Sequence, residues 1–194
     1  MVGAILGDIA GSRFEFSRPS KFNWRTETLF APDCRYTDDT VLCIASKYAI
    51  MTGHSFQHAY RAFGKRYPHV GYGAMFQDWI TATDRRPYQS CGNGAAMRAS
   101  VVGEFYTTLE EVEAKAAESA KCTHNHPEGI KGAKAAAVGV FLARTGFSKR
   151  EIRRVITQRY GYNLRVPLAM RRPFSRVKLT CQATMPLAFR CFLE

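Results

Sequence analysis

Residues 35–50 read RYTDDTVLCIASKYAI: two adjacent carboxylates between two threonines, followed at once by an apolar run. In that run Val41, Ala45, Tyr48 and Ala49 recur at helical spacing, so the segment predicts a helix with the acids at its mouth. An Asp in a first turn accepts bonds from free backbone N–H groups and suits the positive end of the helix dipole, which accounts for one aspartate. A pair flanked by hydroxyls also fits a hard-cation site, because Mg²⁺ takes such oxygens in near-octahedral geometry. Capping and cation binding both stay open on these letters.

The same helical spacing recurs in Phe56, Ala59, Tyr60 and Phe63, and again in Ala137, Val138, Phe141 and Leu142. TLEE and SKRE read as capping boxes, with Thr108 and Ser148 as N-caps and Glu111 and Glu151 reaching back. Strand-like alternation is scarce, and the breaks YPHVGYG, TDRRPYQSCGNG and THNHPEG are short and polar or glycine-rich. The reading is an all-α domain of seven or eight helices over residues 1–194, with its functional loops at helix N-termini. Near the carboxyl end Pro186 suits a first helical turn, and Phe189, Phe192 and Leu193 share one face. That face is expected to be open and to favour self-association.

At 194 residues and 46% hydrophobic content the chain can bury the core of one domain. The amino terminus has no basic region and Asp8 interrupts its apolar run, which excludes a signal peptide. The six cysteines show no CxxC or zinc-type spacing, which fits reduced thiols and a cytoplasmic location. The net charge of +12 is lopsided: 12 of the 28 Lys/Arg but only two of the 16 Asp/Glu fall in residues 144–194. Such a cluster can meet phosphates. It lacks the aromatic–basic interleaving of a nucleic-acid module, and nucleic acid ranks last among the partners.

SCGNGAAMR, residues 90–98, sets Gly92 and Gly94 around Asn93 ahead of a small-residue helix. The turn could cradle a diphosphate with backbone N–H groups, or be a plain Asn-Gly turn. THNHPEG brings His124 and His126 two residues apart at a helix start, without a third metal partner at recognisable spacing. His54 and His58 lie four apart, where zinc could use them, yet without an acidic or cysteine partner they read as a solvated face. Glu15, placed on the first helix, is either a surface acid or the carboxylate opposite the aspartate pair.

Taken in order, GAILGDIAGSRFEF, YTDDTVLCIA, PYQSCGNGAAMRAS, SAKCTHNHPEGIKGAKAAAVGVFLARTG and CQATMPLAFRCFLE resemble the ADP-ribosylglycohydrolase family, particularly its bacterial members. The resemblance implies an all-α orthogonal helical fold and two bound Mg²⁺ ions. It also implies hydrolysis of the glycosidic bond between ADP-ribose and an acceptor such as a modified arginine side chain. It implies Thr37, Asp38 and Asp39 as metal ligands, with Glu15, Asp38 and Asp39 as the catalytic acids. Gly92, Asn93, Gly94, Met97 and Arg98, with Thr123, His124 and Asn125, match the loops that hold ADP-ribose.

Relatives carry a further GGDTDT-like segment that completes the metal shell, and this sequence stops at Glu194 before any such letters. The expectation is therefore a fold without its carboxyl-terminal helices, an incomplete second Mg²⁺ site and impaired turnover. The alternative is a non-catalytic ADP-ribose or nucleotide binder.

Overall fold

The computed structural model describes residues 1–16, 23, 26, 28–171 and 179–194, with the backbone alone for 170 and 171. Part of the basic segment, residues 172–178, lies outside the described residues. Among the described residues the protein is helical, and its only bridge is an isolated antiparallel pair, Gly92 with Thr180. The all-α expectation holds. The chain divides into two compact units, Met1–Ala82 and Thr83–Glu194.

The first unit contains α1 (Val2–Gly11), a 3₁₀ turn (Ser12–Phe14), α2 (Asp38–Thr52), α3 (Phe56–Arg66) and α4 (Ala74–Thr81). Helix α2 starts where Thr37 Oγ1 accepts from the Asp39 N–H at 3.3 Å, and it stops at Gly53, whose φ of 74° suits a residue without a Cβ. Its Val41, Leu42, Ala45 and Ala49 are buried, and it packs against α1 and α3. Inside this unit the Ser46 and Tyr60 hydroxyls pair at 2.8 Å. Tyr48 departs from the expected core stripe. It is 37% exposed, its ring lying against His54 at 5.6 Å and Phe63 at 5.5 Å. Glu15 also departs from expectation, because α1 ends at Gly11 and Glu15 caps the 3₁₀ turn that follows.

The second unit contains α5 (Gly94–Met97), α6 (Ser100–Phe105), α7 (Leu109–Lys121), α8 (Pro127–Arg144), α9 (Lys149–Tyr160), α10 (Leu168–Arg171) and α11 (Cys181–Leu193). Both capping boxes form as read, Thr108 with Glu111 and Ser148 with Glu151. Arg159 clasps Glu113 through Nε and Nη2 at 2.8 and 2.9 Å, and Tyr160 donates to the same carboxylate at 2.5 Å, fastening α9 to α7.

Helix α8 is the centre of this unit, packing against α5, α6, α7, α9 and α11. It can do so because its faces are small. A Cβ at Gly139 would stand 2.6 Å from Phe189 Cε1, and a Cβ at Gly103 of α6 would stand 1.9 Å from the Ala137 carbonyl oxygen of α8. The α11 face thus differs from expectation. The helix begins at Cys181, so Pro186 lies inside it; Phe189 and Leu193 are 7% and 6% exposed, leaving Phe192 open at 44%. The glycine at 139 admits the Phe189 ring, so of the three apolar side chains expected to lie open Phe192 alone does.

The backbone approach at Gly103 leaves no room for a methyl group. Gly103→Ala is expected to lower stability by about 3 kcal/mol or more, whereas Gly3→Ala, where a Cβ meets nothing within 4 Å, should be neutral or mildly stabilising. Denaturant unfolding of the two variants checks this.

Candidate functional site

In the first unit Asp8 of α1 organises the mouth of α2. Its Oδ1 accepts from Thr37 Oγ1 at 2.6 Å, and its Oδ2 accepts from the Thr37 N–H at 2.8 Å, the Thr40 N–H at 3.2 Å and Thr40 Oγ1 at 2.6 Å. The two threonines that flank the acid pair are therefore both anchored to a carboxylate from another helix. Thr37 and Thr40 are buried, while Asp38 is half-buried and Asp39 opens to solvent. The Asp38 N–H is also tied, to the Val70 carbonyl at 3.0 Å.

That arrangement leaves Asp38 and Asp39 as crowded acids. Burial, then the charges of Asp39 and Glu15, push Asp38 up to about 7. Burial, then the charges of Asp8 and Glu15, push Asp39 up to about 6; its contact with solvent makes this the softer of the two shifts. Glu15 is raised by burial and by Asp8, against a lowering effect of Arg35. The sequence-read acids Glu15, Asp38 and Asp39 thus come within electrostatic reach of one another, with Asp8 as a fourth. Among the described residues no three His, Cys, Asp or Glu side chains already form a cation-holding group. His54 and His58 meet edge-on at 4.9 Å on an exposed surface without such a third partner.

In the second unit the glycine turn and the 123–125 loop are brought together. Cβ atoms at Gly94 and Gly92 would lie 3.2 and 3.5 Å from His124 Nε2. Asn125 Oδ1 accepts from the Gln89 N–H at 2.8 Å and holds Gln89 in a left-handed conformation, φ 55°, which costs a non-glycine residue on the order of 1 kcal/mol. The Tyr88 ring lies 5.8 Å from His124. The expected convergence of backbone donors on a diphosphate is only partly met. The Gly92 N–H donates to Ser90 Oγ at 3.0 Å and the Asn93 N–H to the Leu179 carbonyl at 2.7 Å.

Arg98 lies in the interior, 0% exposed, donating to the Ser119 carbonyl at 3.0 Å and to Thr123 Oγ1 at 2.7 Å. Thr123 is equally buried, and Met97 ends the short α5. His126 is the N-cap of α8, its Nδ1 accepting from the Glu128 N–H at 3.1 Å. Sequence reading missed Asp8 and Gln89. The pattern D-x₂₈-T-x₂-T that joins Asp8 to its threonines has no local signature, and a left-handed glutamine carries none.

A helical fold among the described residues, a helix mouth lined with acids and a glycine turn against a buried histidine fit the ADP-ribosylglycohydrolase family. Residues 1–191 match that family, and the chain belongs to it. It is 29% identical to mouse (Mus musculus) ADP-ribosylhydrolase ARH3 over 188 residues, covering 78% of this chain and 50% of that protein. The human (Homo sapiens) protein of the same name is 28% identical with the same coverage, and the chicken (Gallus gallus) one 27% over 191 residues. The chain spans about half the length of these curated relatives.

Two outcomes follow from the acid cluster. Asp8→Ala removes the shared acceptor of two N–H and two O–H groups and should cost about 3 kcal/mol, read as a fall in the unfolding midpoint. Asp38 and Asp39 have folded pKa values above their unfolded ones, so the stability they contribute is complete below about pH 4 and is lost as the pH rises through 6 to 7. Without divalent cations, Asp38→Asn should therefore raise the melting temperature at pH 8 and flatten its decline between pH 5 and pH 8.

Proposed function

We propose that this protein binds ADP-ribosyl conjugates and hydrolyses the glycosidic bond between ADP-ribose and its acceptor, a protein side chain such as arginine or a related conjugate, in a Mg²⁺-dependent reaction. The observation that carries this reading is the acid cluster at the mouth of α2, where the Asp8 carboxylate holds both threonines that flank Asp38 and Asp39. Carboxylates that burial and neighbouring acids push upward gain most from a cation, and their oxygens are the donors Mg²⁺ prefers. Asp38 and Asp39, with Thr37 beside them, would hold it. The ion supplies positive charge that offsets these acids and orients ribose hydroxyls.

The chain's own residues have separate tasks. Asp8 fixes Thr37 and Thr40, so the two aspartates leave α2 in one orientation. Glu15, raised from its ordinary value by burial and by Asp8, is suited to hold the proton of an attacking water at its carboxylate. Gly92 to Gly94 let a flat or charged group approach His124, and Asn125 steadies the neighbouring segment. The name of the relatives, ADP-ribosylhydrolase, agrees with this substrate class. Six free thiols fit a reducing, cytoplasmic setting, and no helix among the described residues is long and apolar enough to cross a membrane.

A second reading, binding of ADP-ribose or a nucleotide without turnover, draws on the glycine turn set against His124. Calorimetry with ADP-ribose and release of ADP-ribose from ADP-ribosyl-arginine separate the two. The proposed function expects binding that Gly94→Val weakens at least about tenfold, because the new side chain meets the His124 ring. It also expects Mg²⁺-dependent release that Asp38→Ala abolishes. Binding without release, insensitive to Mg²⁺ and to Asp38→Ala, supports the second reading; neither binding nor release overturns both.

A further inference from the structure

Three buried groups stand in line behind the glycine turn. Arg98 Nη2 donates to Thr123 Oγ1 at 2.7 Å, and Thr123 Oγ1 pairs with His124 Nδ1 at 2.8 Å. All three residues are at most 5% exposed. At the far side of the same ring, Nε2 faces the turn, where a methyl group on Gly94 would stand 3.2 Å away. The ring therefore has one nitrogen turned to the interior and one turned to the place where the family reading puts the ligand.

Which nitrogen carries the proton follows from the charge behind it. A guanidinium has only donors, so one Thr123 lone pair is taken by the Arg98 N–H. If His124 also donated through Nδ1–H, two donors and a full positive charge would converge on one small oxygen. If instead the Thr123 O–H donates to Nδ1, the imidazole lone pair faces the guanidinium and the hydroxyl, polarised by the cation it accepts from, becomes the stronger donor. The second arrangement is favoured at both ends. Burial, then the same charge, lowers His124 to about 3, so the ring is neutral at pH 7 and carries a single proton to be assigned.

We propose that Arg98 and Thr123 are positioning residues that fix His124 as the Nε2–H tautomer, so that a neutral donor N–H is presented to the Gly92–Gly94 turn. Arg98 and Thr123, which match family loops that hold ADP-ribose, then act from behind the histidine rather than on the ligand. The group this donor suits is an acceptor oxygen of the ligand, a phosphate or ribose oxygen if the ADP-ribose reading holds. The tautomer assignment itself does not require that reading.

Two-bond ¹H–¹⁵N correlation spectra of the full ¹⁵N-labelled chain at pH 7 read the tautomer directly, with His124→Gln assigning the signal among the five histidines. The wild type should show the Nε2–H pattern. Thr123→Val, similar in shape but without the hydroxyl, should lose it in favour of a tautomer mixture, and Thr123→Ser should restore it. An Nδ1–H or doubly protonated ring in the wild type overturns the proposal, as does an unchanged pattern in Thr123→Val. Titration with ADP-ribose reads the consequence: Thr123→Val should weaken binding by about tenfold, the scale of one hydrogen bond, with Thr123→Ser near wild type. Equal affinity in Thr123→Val, with its fold intact by circular dichroism, overturns the ligand-facing role. Absence of ADP-ribose binding in the wild type defeats the functional reading instead, while the spectra still decide the tautomer.

Discussion

The mouth of α2 depends on the Asp8 carboxylate. One side chain from α1 accepts from two threonine hydroxyls and two backbone N–H groups, and hydrogen bonds to a charged acceptor are the strong ones in proteins. Two consequences come from this single group. It supplies partners for N–H groups at a helix start that would otherwise have none within the helix. It also takes the hydroxyl protons of Thr37 and Thr40, which are then not available as donors to Asp38 and Asp39. A cap contributed by a different helix turns an ordinary start signal into a fixed support for an acid cluster.

The loops of the second unit rest on an equally specific constraint, the thinness of α8. Gly129 lets the Ser90 carbonyl and His124 come close: a Cβ there would stand 2.7 Å from that oxygen and 3.0 Å from His124 Cβ. A larger residue would push the glycine turn and the histidine away from the helix. Gly132 does the same for Cys181, whose sulfur a Cβ would meet at 2.3 Å, and the Cys181 N–H closes onto the Cys91 carbonyl at 3.0 Å. The segments around residues 90 and 124 are thereby held by backbone packing on a long rigid helix, which suits loops that must keep a set geometry.

The sequence made the helices legible because their signals are local. Thr108 and Ser148 are N-caps as read, and the stripe through Val41, Ala45 and Ala49 is buried, since a 3.6-residue period needs no knowledge of the partner surface; at α2 the cap is Thr37 rather than an aspartate. Positions that depend on a distant neighbour were not legible. Tyr48 shares the spacing of its stripe yet lies at the edge, where His54 and Phe63 provide its contacts. Phe189 looked exposed because the room made by Gly139, fifty residues earlier, cannot be seen from its own segment. Helix α11 starts at Cys181, five residues before the proline that was taken for its first turn, because a helix can accept Pro at the loss of one backbone bond. Among the site residues, the family motifs singled out the segments around residues 38, 92 and 124, but not the contacts within them. Arg98, which the resemblance implies as a residue of an ADP-ribose loop, is fully interior.

The two clusters also show how the surroundings of a polar group decide what it can do. In the second unit the inward groups are linked in series: Arg98 Nη2 donates to Thr123 and to the Ser119 carbonyl, and Thr123 pairs with His124. That set holds a geometry, and burial keeps its imidazole neutral. In the first unit Asp8 is surrounded by four donors, whereas Asp38 is raised by burial and by Asp39 and Glu15, and Asp39 by burial and by Asp8 and Glu15. Like charges held together in a partly dry place are costly unless a proton or a cation joins them. Protonation answers that below neutral pH. In the proposed function a divalent cation would answer it at neutral pH with the carboxylates ionised, so the repulsion that opposes ionisation of the cation-free helix mouth is the same quantity that would give the ion its affinity.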